Sequence, residues 1–146
     1  MTGRIIAMAR HGKSRAPIEE ISTAKVSVPA GIEGDLRGTS RQRQITILAA
    51  EDWRQAVEEV GEPDLAWTTR RANLLVEGIA LPRTIGSRLQ VGAVTLEVRG
   101  ETEPCDRMDA QCDGVRAALT PEWRGGIFCT VIAGGVISIG DSVEPA

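Results

Sequence analysis

The sequence predicts a mainly β domain, a barrel-like fold with a few helices on its periphery, and three observations carry that expectation. Thirteen isoleucines and twelve valines, many in short runs separated by glycine, favour strands over long helices. Several of these runs alternate apolar with polar residues at close spacing, the pattern of a sheet with one buried face. A length of 146 residues suits one domain spanning positions 1–146, with no internal repeat, low-complexity segment or linker to divide it.

Taken in order, Arg4 to Ala9 (RIIAMA) reads as a first strand and Lys25 to Val28 as another, stopped by Pro29-Ala30-Gly31. Gln44 to Ala49 (QITILA) follows the polar, glycine-punctuated loop GIEGDLRGTSR and reads as a third. The period then changes. From Glu51 to Val60, Trp53, Ala56, Val57 and Val60 share one helical face, and Gly61 with Pro63 ends the segment. Trp53 should dock this helix on the outside of the barrel. Arg70-Arg71-Ala72-Asn73 precedes an apolar, strand-like run. Gly86 to Arg99 alternates across a turn at Gly92, a hairpin whose Leu89, Val91, Val94, Leu96 and Val98 should point inward. Asp113 to Leu119 reads as a short helix ended by Thr120-Pro121. Ile127 to Ala133 and Val136 to Ile139, around Gly134-Gly135, read as the closing strands.

Charge and composition exclude whole classes of function. Seventeen basic against 20 acidic residues give a net charge of −3, with no general attraction to nucleic acid or to an acidic membrane surface. Three Trp, one Phe and no Tyr are too few for the stacking platforms of single-strand binders. No apolar run approaches the roughly 20 residues needed to cross a bilayer. The N-terminal MTGRIIAMARHGKSR lacks the apolar core of a secretory signal, so the chain is read as cytoplasmic. Three cysteines, an odd count, argue against a disulfide framework, and the lone histidine leaves a zinc site or a Ser-His-Asp machine short of residues. His11, at the end of the first strand, is read as a surface residue.

What chemistry the residues offer is concentrated in three places. In ETEPCDRMD, Pro104 sets a bend that can present the Cys105 thiol, with Arg107 able to favour its thiolate while Asp106 and Asp109 oppose it. An inert, buried Cys105 is the competing reading. Cys112 opens a surface helix and Cys129 alternates within an apolar strand, which makes the latter a core residue. Only two residues are lysines, so most of the basic charge is arginine, clustered as Arg37, Arg41 and Arg43 and as Arg70 and Arg71. Arginine grips phosphate and carboxylate with a planar fork. The loop from Gly31 to Arg43 is thus either an anion cradle or a polar crossover, and Asn73 either meets a ligand or caps a turn.

These segments in this order resemble the MOSC domain, named for its occurrence at the C-terminus of molybdenum cofactor sulfurases. The resemblance runs from about Ser27 to Val143 through GIEGDLRG, RQITIL, RRANLLVEGIALP, GSRLQVGAVTLEVRGETEPCDRMD and RGGIFCTVIAGGVISIGDSV, and rests on the order of its Arg-x-Asn-Leu, Pro-Cys and Gly-Asp elements. It implies a β-barrel fold and a molybdenum-pterin cofactor. It further implies that Cys105 carries sulfur as a persulfide or ligates the molybdenum, with Arg71 and Asn73 at the cofactor; the arginine clusters add Arg37 and Arg70 as candidate contacts. Stand-alone bacterial members are associated with reduction of N-hydroxylated compounds alongside an electron-transfer reductase, so the chain would be a sulfur carrier or transferase, or a component of a molybdenum-dependent reductase. Many members carry a histidine after the Gly-Asp of the first loop, where this chain has Leu36 and Arg37. No pyridoxal phosphate lysine domain is present, so a separate cysteine desulfurase would supply sulfur. The alternative is a non-catalytic module binding a phosphorylated metabolite or a protein partner.

Overall fold

The computed structural model describes residues 2–12, 17–104 and 114–146. Its strands, in chain order, are β1 (Gly3–Arg10), β2 (Glu19–Ile21), β3 (Thr23–Ser27), β4 (Gly31–Ile32), β5 (Ile45–Ala49), β6 (Leu74–Glu77), β7 (Arg88–Val91), β8 (Val94–Glu101), β9 (Ile127–Ala133), β10 (Gly135–Ser138) and β11 (Ser142–Pro145). Two α-helices lie among the described residues, α1 (Ala50–Glu59) and α2 (Val115–Leu119).

Seven strands form a closed ring. They run β11-β7-β8-β9-β5-β6-β1, and β1 pairs back onto β11 through Gly3 opposite Val143. The mainly β, barrel-like expectation holds. Every inward residue expected of the hairpin is buried: Leu89, Val91, Val94, Leu96 and Val98 join Ile5, Ile45, Ile47, Leu74, Val76 and Ile127 in one interior cluster. The expected helix is also found, and it packs outside the barrel. Trp53, Ala56 and Val57 meet Leu48 and Leu75 on the sheet's outer face and Val115 and Leu119 of α2, a cluster separate from the interior one. Trp53 Nε1–H donates to the Leu65 carbonyl at 3.2 Å, which gives the buried indole its hydrogen-bond partner.

One expectation needs correction. The segment after Gly134 does not close the barrel: β10 pairs with β3, which with β4 makes a separate three-stranded sheet. Gly134 explains the departure, because a Cβ there would lie 2.4 Å from the Val26 carbonyl oxygen, so only glycine lets β9 pass this close to β3. Closure falls instead to Ser142–Pro145, whose single buried residue, Val143, gives almost no alternation to read.

Pairing within the ring sets which strand ends meet. β5 and β6 are joined through the outer helix and run parallel, with Ile47 opposite Leu74, whereas the other pairs of the ring are antiparallel. Their N-terminal ends therefore lie side by side at one end of the barrel, and their C-terminal ends at the other.

Candidate functional site at the start of strands β5 and β6

Asn73, immediately before β6, is buried and uses its whole amide. Its Oδ1 accepts from the Thr46 backbone N–H at 2.9 Å and hydroxyl at 3.2 Å, while Nδ2 donates to the Ala9 carbonyl and to Asp35 Oδ1, both at 3.2 Å. One side chain thus joins β1, β5 and the 31–43 loop. Asp35 is the loop's anchor. Its fully buried carboxylate accepts from the His11 backbone N–H at 3.1 Å through Oδ1 and from the Arg37 N–H at 3.2 Å through Oδ2, an Asx turn.

His11 is not a surface residue. Its backbone is held on both sides, by Asp35 and by the Leu36 N–H donating to its carbonyl at 2.7 Å, and this draws the ring under the loop until it is 6% exposed. Nδ1 stands 3.6 Å from Asp35 Oδ1 and is buried with no hydrogen-bond partner among the described residues. Burial holds the imidazole pKa below its ordinary 6.5; Asp35 opposes this, and the nearby positive charges of Arg71 and Arg37 add to it. The ring is neutral at pH 7. Stability should accordingly be full above about pH 6.5 and fall as the pH drops below it, levelling off under the folded-state pKa, because in that window only the unfolded chain takes up the proton. Urea midpoints measured across this range for the native chain and for His11→Gln should show the decline in the former and a shallower one in the latter. Equal slopes would mean the imidazole protonates freely in the fold.

Arg70 and Arg71 part company at a left-handed residue. Arg71 follows the 3-10 turn Trp67–Arg70 with φ 59°, a conformation that L side chains rarely adopt and that clusters at binding sites. It is exposed, as is Arg37, and both act electrostatically on His11. Arg70 instead turns inward and is 9% exposed. Its Nε–H donates to the Gly125 carbonyl at 3.1 Å and an Nη2–H to the Thr102 carbonyl at 2.6 Å. Gly125 permits that clamp, since a Cβ there would stand 2.4 Å from the Thr102 oxygen and 3.3 Å from Pro104 Cδ. The segment Thr102–Pro104, which leads directly to Cys105, is thereby fixed at its base.

Cys105, Arg107 and Cys112 lie outside the described residues. Cys129 is fully buried in β9, where burial pushes its thiol up to about 12, so it is not available as a thiolate near neutral pH. Arg43 stacks over Phe128 with its guanidinium 5.4 Å from the ring centroid. Of the residues singled out from sequence, Arg37, Arg71 and Asn73 are brought together, and Arg70 faces the Thr102–Pro104 segment. His11 and Asp35 complete the network across 24 and 38 positions of chain, a distance at which no local pattern announces a contact. Among the described residues no group of His, Cys, Asp and Glu is gathered that could hold a metal ion, and no helix is long and apolar enough to cross a membrane.

The MOSC domain family model matches residues 11–144. Among solved structures, the YuaD protein from Bacillus subtilis superposes with a TM-score of 0.81 at 20% identity, over 98% of this chain and 94% of that one. YiiM from Escherichia coli gives 0.72 at 17% identity, covering 98% of this chain and 69% of YiiM. YiiM from Geobacillus stearothermophilus gives 0.68 at 15%, over 99% and 73%. At these identities the likeness is one of fold. No match is found among curated proteins.

Proposed function

The chain belongs to the MOSC domain family, and on that premise we propose that it binds a molybdenum-pterin cofactor or carries sulfur for it, with Cys105 as metal ligand or persulfide carrier. The family is associated with molybdenum-cofactor-related function. The observation that carries the proposal is the buried His11–Asp35–Asn73 network with Arg37 and Arg71 exposed beside it.

The donor set suits such a ligand. Two guanidiniums answer a phosphate, and the buried Nδ1 of His11, without a hydrogen-bond partner among the described residues, is the kind of orphaned polar atom that a bound group accounts for. Arg71 and Arg37 would hold the anionic end. Asn73, with its amide fully engaged inside the fold, orients His11 and the loop and is a positioning residue. Arg70 works through the backbone, holding Thr102–Pro104, the segment that precedes Cys105 in the chain. A bound cofactor would supply a metal centre for oxygen or sulfur transfer. The protein's own part is to grip the anionic end, keep His11 neutral and offer one thiol. In this reading the chain acts in the cytoplasm, with a pyridoxal phosphate-dependent cysteine desulfurase as sulfur source or an electron-transfer reductase as partner for N-hydroxylated substrates.

The test separates the cysteine from the arginine. Native protein, Cys105→Ser and Cys129→Ser are incubated with a cysteine desulfurase and, separately, with molybdenum cofactor, and added sulfur mass and retained metal are measured. Cys105→Ser should lose the sulfur adduct or the metal while melting as the native chain does; Cys129→Ser should keep both. Arg71→Lys keeps the charge but loses the fork, so cofactor binding should weaken by about 1–3 kcal/mol. If Cys105→Ser performs as native in both assays, the cysteine mechanism is wrong and a non-catalytic module for a phosphorylated metabolite becomes the better reading.

A further inference from the structure

A second feature lies at the opposite end of the same strands. Between the start of α1, the turn after β6 and the Pro121–Trp123 segment is a cavity of about 420 Å³, within the usual range of small-molecule sites. Asn73 precedes β6 and Gly78 follows it, so the residue steps from one to the other, roughly 16 Å at ~3.3 Å per residue, separate the cavity from the His11 site.

The walls have two characters. One side is apolar: Ile79 and Ile127 are buried, and Leu81 and Trp123 are partly buried against the barrel interior. The other is acidic, with Glu51 and Asp52 in the first turn of α1 and Glu122 opposite. These carboxylates are not equivalent. Glu122 faces Arg83 at 3.9 Å, and Glu51 Oε2 accepts the Gly78 N–H at 2.8 Å. Asp52 has no hydrogen-bond partner among the described residues, and burial raises its pKa, with Arg83 and Arg124 opposing. The wall is also strained. Glu122 and Trp123 are consecutive non-glycine residues in the left-handed region, at φ 53° and 58°, a costly arrangement that places the indole on the cavity.

Charge and shape select the ligand. An anion would meet three carboxylates against one guanidinium, and a neutral apolar molecule would desolvate Asp52 without pairing it. A bare divalent cation needs six or more oxygens around it, and one side of this cavity is hydrocarbon. A protonated amine on a short apolar body satisfies both walls, with its nitrogen at Asp52 and its body on Trp123 and the aliphatic residues. We propose that this cavity is a binding site for a small organic cation of that class, distinct from and independent of the site at His11.

The full chain is titrated calorimetrically near pH 7.5 with benzylamine, with benzyl alcohol as its neutral counterpart and with benzoate. Benzylamine should bind at least about tenfold more tightly than benzyl alcohol, and benzoate should not bind. Asp52→Asn should remove the preference for the amine while leaving molybdenum retention as in the native chain. Ala80→Trp, which fills the cavity from an exposed position, should abolish binding of both and serves as the second variant should Asp52→Asn fold poorly. Equal affinity for amine and alcohol, no binding of benzylamine, or amine binding unchanged in either variant overturns the proposal.

Discussion

Val94→Asp is expected to lose a large share of the chain's stability and to melt far below the native protein. Val94 begins β8 opposite Val91, has no exposed surface and belongs to the barrel interior, where the described neighbours are hydrocarbon. A carboxylate there has neither water nor a cationic partner, and its burial costs several kcal/mol, against a total stability of about 5–15 kcal/mol for a domain. Val136→Asp is the matched control. Val136 is 59% exposed on β10, so its replacement should change stability by no more than about 0.5 kcal/mol. Thermal melts followed by circular dichroism compare the two, and a native-like melt for Val94→Asp would show that the ring is not closed around a dry interior.

The second large effect is expected at Asn73. Alanine there removes the acceptor of the Thr46 N–H and a donor to both Ala9 and Asp35, all within buried surroundings. Each buried group left without a partner costs about 1–3 kcal/mol, so Asn73→Ala should lose on the order of 3 kcal/mol. Asn73→Asp nearly preserves shape, yet it should be worse, because it sets a second carboxylate against the fully buried one of Asp35. Chemical denaturation of the three proteins ranks them. If aspartate proves milder than alanine, the electrostatic account of the network must change.

Elements whose residues alternate or repeat over several positions were legible in the sequence. The β7–β8 hairpin has five inward apolar residues in strict alternation, and α1 shows its buried stripe through Trp53, Ala56 and Val57. β4 has only two residues and β11 only one buried one, so neither offers a period. The site divides the same way. Arginine next to asparagine is visible as a cluster of chemistry, but the partition of Arg70 inward and Arg71 outward depends on one backbone angle, φ 59° at Arg71. His11 carries no local mark of burial, since the groups that cover it come from the loop at Asp35 and from beyond the crossover helix at Asn73.

The seam between β1 and β11 bears on how the molecule is made. Gly3 pairs with Val143, so the ring joins position 3 of the chain to position 143. During synthesis the hairpin and the helical layer can form as soon as their residues emerge, but the start of β1, Gly3 and Arg4, which β2 does not cover, must wait on the ribosome without its partner until residues 142–145 arrive. β7, the other neighbour of β11, waits with it. Two open strand edges on a nascent chain invite pairing with other nascent chains. Closure across so long a separation in sequence is also the slowest kind of contact to form. The interval before the final strand of the ring is made is therefore when this fold is most exposed to misassembly, and the period in which a holding chaperone would matter most.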